Sequence, residues 1–489
     1  METITSPEKL SRKLVAHRAY PEKVIQFGTG VLLRGLVDHV IEMANNQQNF
    51  AGSIVQIKST EKGSTDDFDE QDNVYTVAQR GIKDGHLMQS YTINSSISRT
   101  LVANKQWSDV LQLASNPSLS IIVSNTTEAG IELNEKDFGG SGVPLSFPGK
   151  LLHLLYERFL IFEGDAQMGY TIIPTELISN NGQELRRIVL LLANRVYGNT
   201  LFNDWILSAN NFCNSLVDRI VTGIPPADRL AAHWEKLGYQ DKLLIECEPY
   251  LLWAIEGSSE VQQKLGFANA KEGVVISTSI ERFKELKLRL LNGTHSFICG
   301  MAFLKGFTNV RDTLKNDNLR NFLVNMMQTE ICPTLPYNDA EVSLYAKDVA
   351  DRFANPFIDH KWLSISFNYT QKMRFRNLES IERFFQQHGI LPPMMCEAFA
   401  WFLHFSKPVM QNENGEWLGD RFGEKYVLND VAAPVFFALH QQYSGKMLID
   451  KILSNDTLWG QFDFGKWPGF SDFIYDSYAA IGREYNLVV

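Results

Sequence analysis

Lys23-Val24-Ile25-Gln26-Phe27-Gly28-Thr29-Gly30-Val31-Leu32-Leu33-Arg34-Gly35 is an apolar run that breaks at a Gly-x-Gly turn and resumes with helical periodicity to about Ala44. Residues 23–27 read as a short buried strand. Glycine at 28 and 30 lets the backbone turn tightly and approach a ligand. The free N–H groups of the following helix start then point at an anion such as a pyrophosphate. The fingerprint is incomplete, because Leu33 stands where a third glycine is expected. A plain strand-to-helix glycine turn accounts for these residues equally well.

Downstream, buried strands alternate with helices. Residues 53–58, 74–79, 86–93, 119–124, 171–174 and 274–278 carry strand patterns, with a turn signal at Lys83-Asp84-Gly85. Helical periodicity covers residues 107–114, 150–162 and 183–197, the second of these capped by Ser146 or a neighbour. Asn181 is in place to cap the third and also lies beyond the end of a strand. This alternation predicts an α/β fold, a Rossmann-like doubly wound sheet. Ligands of such sheets sit beyond the carboxyl ends of the strands, which makes Asn125 and Thr126 candidates for a cofactor crevice. The strand 53–58 ends in Lys58-Ser59-Thr60, where an NAD enzyme usually carries an acidic residue for the ribose 2′-OH. Lys58 fits a 2′-phosphate or a solvated strand end.

From about residue 280 the pattern turns helical and aromatic, with few strand runs. The sheet domain is therefore expected over residues 1–279 and a mainly α-helical C-terminal domain over 280–489. The second domain opens on Glu285-Leu286-Lys287-Leu288-Arg289-Leu290-Leu291-Asn292-Gly293-Thr294-His295-Ser296-Phe297. At about 100° per residue, Lys287, Asn292 and His295 share an arc of about 140° on a largely apolar helix. A desolvated amine exchanges protons near neutrality, and an amide can donate to an oxygen that gains negative charge. An ordinary amphipathic helix, with Lys287 and Arg289 solvated and Asn292-Gly293 as a cap, fits the same spacing. Further on, Lys372, Arg374 and Arg376 place three cations within five residues. They form either a carboxylate clamp or a solvated basic face.

The whole chain has 489 residues, enough for two or three domains with their own cores, and 44% apolar and 21% charged residues, ordinary for a globular protein. A net charge of −10 disfavours nucleic acid and anionic membranes as partners. Five cysteines without disulfide or zinc spacing fit a reducing cytoplasm. The start, Met1-Glu2-Thr3-Ile4-Thr5, lacks a basic-then-apolar signal, and no run of eighteen apolar residues marks a membrane span. Walker A, His-Glu-x-x-His, Gly-x-Ser-x-Gly and EF-hand patterns are not found, and the ten histidines do not cluster at metal-ligand spacings, so no metal is expected.

Taken together, Lys287-x-x-x-x-Asn292-x-x-His295, Gly28-x-Gly30 with Arg34, Ser124-Asn125-Thr126-Thr127-Glu128-Ala129-Gly130, Val217-Asp218-Arg219-Ile220, Asn355-Pro356 and Lys372 resemble the polyol-specific long-chain dehydrogenases, the mannitol dehydrogenase family. The resemblance covers nearly the whole chain. Ser146-Phe147-Pro148-Gly149-Lys150, Leu155-Tyr156-Glu157-Arg158-Phe159 and Pro174-Thr175-Glu176-Leu177-Ile178 are most similar to its tagaturonate reductase branch, as are His360, Trp362, Leu363 and Ser364, where polyol enzymes usually carry an arginine. The resemblance implies metal-independent hydride transfer between a nicotinamide and the ketone of a small sugar acid. It implies Lys287, Asn292, His295 and Asn181 as catalytic residues, with Lys287 as general acid and base. It places the cofactor on Phe27, Gly28, Gly30, Leu33, Arg34, Lys58, Asn125 and Thr126, and the substrate on His360, Asn368, Lys372, Arg374 and Arg376. NAD is the expected cofactor, with NADP left open by residues 58–60, and a monomer is the expected state. A fructuronate reductase or a polyol dehydrogenase such as mannitol 2-dehydrogenase is the alternative within the family. A dinucleotide-binding protein without chemistry is the alternative outside it.

Overall fold

Six parallel strands form one sheet: β1 (Glu22–Phe27), β2 (Ser53–Lys58), β3 (Ile97–Val102), β4 (Ile121–Ser124), β5 (Thr171–Pro174) and β6 (Asn211–Phe212). The expected runs supply β1, β2, β4 and β5, whereas β3 and β6 were not expected and the runs 74–79, 86–93 and 274–278 go to other sheets. In this computed structural model they lie in the order β3-β2-β1-β4-β5-β6. That is the Rossmann order, in which the strand order reverses between β1 and β4 and opens a crevice at their carboxyl ends. The structure describes residues 8–15, 19–60, 63–126, 130–139, 142–270 and 273–485. Met1–Thr5 and Thr127-Glu128-Ala129, both used in the sequence reading, lie outside the described residues.

Side chains of successive strand residues point to opposite faces. Ile25, Phe27, Val55, Ile57 and Ile122 therefore join one core with the helices Phe147–Ile161, Asn181–Val196 and Thr200–Ala209. Val24, Ile54, Ile121, Val123 and Ile173 join the other, under the helix Val37–Asn46. With both faces covered, the strands read as continuous apolar runs, which is why they were visible in the sequence. Ser146 caps the helix from Phe147, accepting from the Gly149 N–H at 3.0 Å, so this helix starts three residues before the expected 150. The cap residue of the next helix is Asn180, in the left-handed region, rather than Asn181.

The chain divides into two compact units, one made of the residues up to Arg80 with Leu87–Glu281, the other of Gly81–His86 with the residues from Arg282 on. Val221–Gly223, Ile245–Cys247, Tyr75–Lys83 and His86–Asn94 form a four-stranded sheet, and Ser215–Asp218, Leu252–Glu256 and Val274–Ser277 a three-stranded one; only the tip of the hairpin 75–94 is counted with the second unit. The expected turn at 83–85 is present, with Asp84 and Gly85 both at positive φ. The second unit is mainly helical. Its three short strands, Met410–Gln411, Trp417–Arg421 and Glu424–Val427, make an antiparallel meander. Among the described residues no helix is long and apolar enough to cross a membrane.

Candidate active site

Beyond the ends of β1, β2 and β4 lies a cavity of about 590 Å³. Gly28, Thr29, Gly30, Lys58, Asn125 and Thr126 line it, with Lys150 from the helix Phe147–Ile161. At Gly28 φ is +126°, and an added Cβ would stand 2.8 Å from the Asn125 carbonyl oxygen and from Leu33 Cδ1. Glycine is required there on both counts. Gly30 opens the helix and a Cβ on it would meet nothing within 4 Å, so the backbone beside the cavity is bare. The ends of β4 and β5 are stitched together behind it. Asn125 Nδ2 donates to Thr175 Oγ1 at 3.0 Å, and the Thr126 N–H and Oγ1 donate to the buried Glu176 carboxylate at 2.9 and 3.0 Å. Burial holds that carboxyl above its ordinary pKa. Lys58 is buried at the strand end and donates to the Thr60 carbonyl, so it is not a solvated lysine.

Three residues expected at the cofactor turn their side chains away from the cavity. Phe27 turns into the core, its ring 5.0 Å from that of Phe147. Leu33 fills the space behind Gly28. Arg34 is buried between the rings of Phe68 and Tyr75 and donates to the Leu243 carbonyl at 2.8 Å. The sequence pattern located the turn correctly but could not say which side chains face the cavity. Asn181 is also engaged: its Nδ2 lies 3.0 Å from each of the Pro174, Glu176 and Ser215 carbonyls, and its Oδ1 accepts from Gly182 and Ser215 N–H. With both amide hydrogens facing backbone oxygens, its expected part as a donor to substrate is withdrawn. It joins β5 to the strand Ser215–Asp218.

In the second unit the helix begun at Glu281–Leu286 widens into a π-helical segment, Lys287–Gly293, before continuing as Thr294–Leu304. In such a turn each N–H reaches five residues back, so residues i and i+5 lie one above the other. In an α-helix they would be about 140° apart. Lys287 and Asn292 are that pair, and both are half-buried. The next turn carries His295, whose ring stacks on Phe353 with centroids 3.9 Å apart and planes at 18°. His360 stands edge-on to it at 5.1 Å. Burial first, then the charges of His360, Arg352, Arg376 and Lys372, holds His295 well below the ordinary imidazole value. It is a neutral ring, and its Nε2 is buried without a partner among the described residues.

The cations divide. Lys372 donates to the Ile365 carbonyl at 2.7 Å, and burial, then Arg376, lowers its pKa. Burial lowers Arg376 and His360 as well. These groups form a desolvated basic surround. Arg374 instead lies over the Phe375 ring and against Gly460, where an added Cβ would collide with its guanidinium. Asn368 takes a left-handed backbone conformation (φ 50°) and turns the chain into the helix Tyr369–Lys372 that ends on Lys372. Sequence reasoning passed over Arg352 and Phe353, which end an unremarkable amphipathic helix, Asp339–Phe353. It quoted Lys150 and Glu176 without a site role, although a lysine and a glutamate inside apolar runs were the available signal.

The chain matches the mannitol dehydrogenase Rossmann domain over residues 22–268 and the mannitol dehydrogenase C-terminal domain over residues 279–481. It is 36% identical over 469 residues to the altronate oxidoreductase of Bacillus subtilis (strain 168), covering 95% of this chain and 94% of that one. The chain belongs to the mannitol dehydrogenase family. It is accordingly a dehydrogenase acting on a CH–OH group. The altronate oxidoreductase of Halalkalibacterium halodurans is 35% identical over 472 residues, 94% of this chain and 91% of that one. Two solved structures are similar in fold. Pseudomonas fluorescens mannitol 2-dehydrogenase, in a ternary complex with NAD and D-mannitol, is 20% identical with a TM-score of 0.63, covering 98% of this chain and 95% of that one. A substrate-free D-sorbitol dehydrogenase is 19% identical with a TM-score of 0.75, covering 98% and 99%.

Proposed function

We propose that this chain binds NAD(H) and interconverts D-tagaturonate and D-altronate. The likeness to altronate oxidoreductases over 95% of its length carries the reading. The desolvated cations around His295 support an acidic substrate rather than a neutral polyol.

The first unit's residues suit a dinucleotide. The bare Gly28-Thr29-Gly30 turn at a helix start, flanked by Lys58 and Lys150, offers N–H groups and positive charge to a pyrophosphate. When bound, NADH supplies the hydride that reduces the ketone carbon. Lys287 delivers the proton to the ketone oxygen and takes it back in the oxidative direction. Asn292 donates its amide to that oxygen while negative charge builds there, a contribution of about 3 kcal/mol for one such donor. His295, uncharged, holds the hydroxyl without competing for the proton. Lys372, with Arg376 beside it, pairs the sugar acid's carboxylate, since a buried carboxylate needs a charged partner.

The test follows 340 nm absorbance with purified protein and NADH against tagaturonate, fructuronate and fructose. Selective oxidation with tagaturonate supports the assignment. Preference for fructuronate or fructose moves the chain to another branch of the family. Loss with none of the three, repeated with NADPH, removes the proposed activity.

A further inference from the structure

The π-helical segment Lys287–Gly293 does not stand alone. Met326–Ile331 and Met373–Asn377 are π-helical too, and the latter, here the second segment, directly follows Lys372 and packs against the first. A π-helical turn departs from the regular i→i−4 ladder, and side-chain hydrogen bonds from outside can hold it. Here each segment supplies the other. Asn377, fully buried at the end of the second segment, donates Nδ2 to the Gly293 carbonyl at the end of the first, at 3.1 Å. Arg289, in the first segment, donates Nη1 to the Arg376 carbonyl in the second, at 2.6 Å.

Arg289 is itself fixed by a closed ring of charges. Its Nε meets Glu285 at 3.0 Å and its Nη2 meets Glu379, while Arg383 meets Glu285 at 2.8 Å and also Glu379. Two arginines and two glutamates thus join the helix carrying Lys287 to the helix Leu378–His388 that continues the second segment. Arg289 is 2% exposed, so the bonds it makes are made in a desolvated place where leaving one unmade is costly.

We propose that Asn377 and Arg289 are positioning residues that lock the two π-helical segments in register. They hold the stacked Lys287–Asn292 pair in fixed geometry with Lys372 and Arg376. The proposal rests on the function assigned above to those four residues. It names a cause for their arrangement that lies outside the residues touching substrate. A misplacement of about 1 Å at a reacting group can cost about a hundredfold in rate, so losing the brace is expected to act on turnover more than on cofactor binding.

Two variants keep the test clear of unfolding. Asn377→Leu keeps the size and shape and removes the donor; Arg289→Lys keeps the charge for Glu285 and loses the fork that reaches the Arg376 carbonyl. Each is expected to lower kcat for the keto acid about ten- to a hundredfold while the KM for NADH changes less than twofold. The double variant is expected to lose little more than the worse single one, since both break one brace. Hydrogen–deuterium exchange gives a second readout that needs no substrate: in either single variant, amides of both 287–293 and 373–377 exchange faster together. A variant that loosens only its own segment, or leaves kcat within twofold, overturns the brace. A wild-type protein inert toward every keto acid overturns the function, and the exchange experiment then still decides on the brace.

Discussion

The His295 imidazole lies face to face with the Phe353 ring, 3.9 Å between centroids, with a buried Nε2 and basic groups on its other sides. Burial and those charges hold its pKa well below the ordinary value, so the ring stays neutral through the working range. The kcat/KM profile is therefore expected to show no acid limb near pH 6.5 owing to His295. His295→Asn is expected to lower kcat about ten- to a hundredfold without moving either limb. A limb near 6.5 that disappears in this variant would contradict the neutral ring.

Lys287 is the proton donor in the proposed reaction. Lys287→Ala is expected to reduce turnover at least a thousandfold while NADH binding, followed by fluorescence titration, stays within threefold. Turnover within tenfold of wild type takes Lys287 out of the chemical step.

The sheet domain was legible because its strands are buried on both faces and end in turn residues. The rule that ligands sit at strand ends then found Asn125 and Thr126, which do line the cavity. Side-chain direction was not legible. Phe27, Leu33 and Arg34 lie in the same segment as Gly28 and Gly30 but face the core, and a strand–turn–helix pattern does not say which of the side chains flanking the glycines turn inward. In the helical domain the 100° period put Lys287 and Asn292 on one broad face without showing that they stack. The π-helical turn that stacks them depends on Asn377 and Arg376, more than eighty residues away. A long-range cause of this kind leaves no local pattern. Arg374 and Arg376 looked alike for the same reason: two residues apart, they are sent to different surroundings by the second π-helical segment.

That divergence separates the cations experimentally. Lys372→Met is expected to raise the KM for the keto acid at least tenfold, because it leaves a desolvated carboxylate without its ammonium. Arg374→Met, altering a group packed on Gly460, is expected to leave that KM within twofold. Steady-state kinetics with the sugar acid varied at saturating NADH reads both. Equal effects from the two changes would make the cluster a diffuse basic face.

Gly28→Ala tests the cofactor cavity. The new methyl would press on the Asn125 carbonyl oxygen and on Leu33 Cδ1, each 2.8 Å away, at a φ of +126° that alanine resists. The β1 end and the Asn125 backbone must shift apart, which deforms the cavity wall. NADH affinity is expected to fall at least tenfold, read by fluorescence titration, with the melting temperature a few degrees lower. Unchanged affinity would move the dinucleotide away from this turn.

Asp38 gives a prediction about stability rather than rate. Its carboxyl is fully buried, accepts from the Tyr75 hydroxyl at 3.1 Å, and is raised by burial to about 7. In the unfolded chain it titrates near the ordinary value of about 3.9. Between these values the folded protein holds a proton that the unfolded chain has lost. The stabilisation from this group is full below about pH 4 and is lost as pH rises through about 7. The side-chain amide of an Asp38→Asn variant carries no such dependence, and its oxygen can still accept from Tyr75. The stability difference, variant minus wild type, is therefore expected to move in the variant's favour from pH 4 to pH 7 and to level off above it. Urea melts at pH 5, 6, 7 and 8 measure this directly. A difference that stays constant over that range would mean that Asp38 is ionised in the folded protein throughout, held so by Arg34.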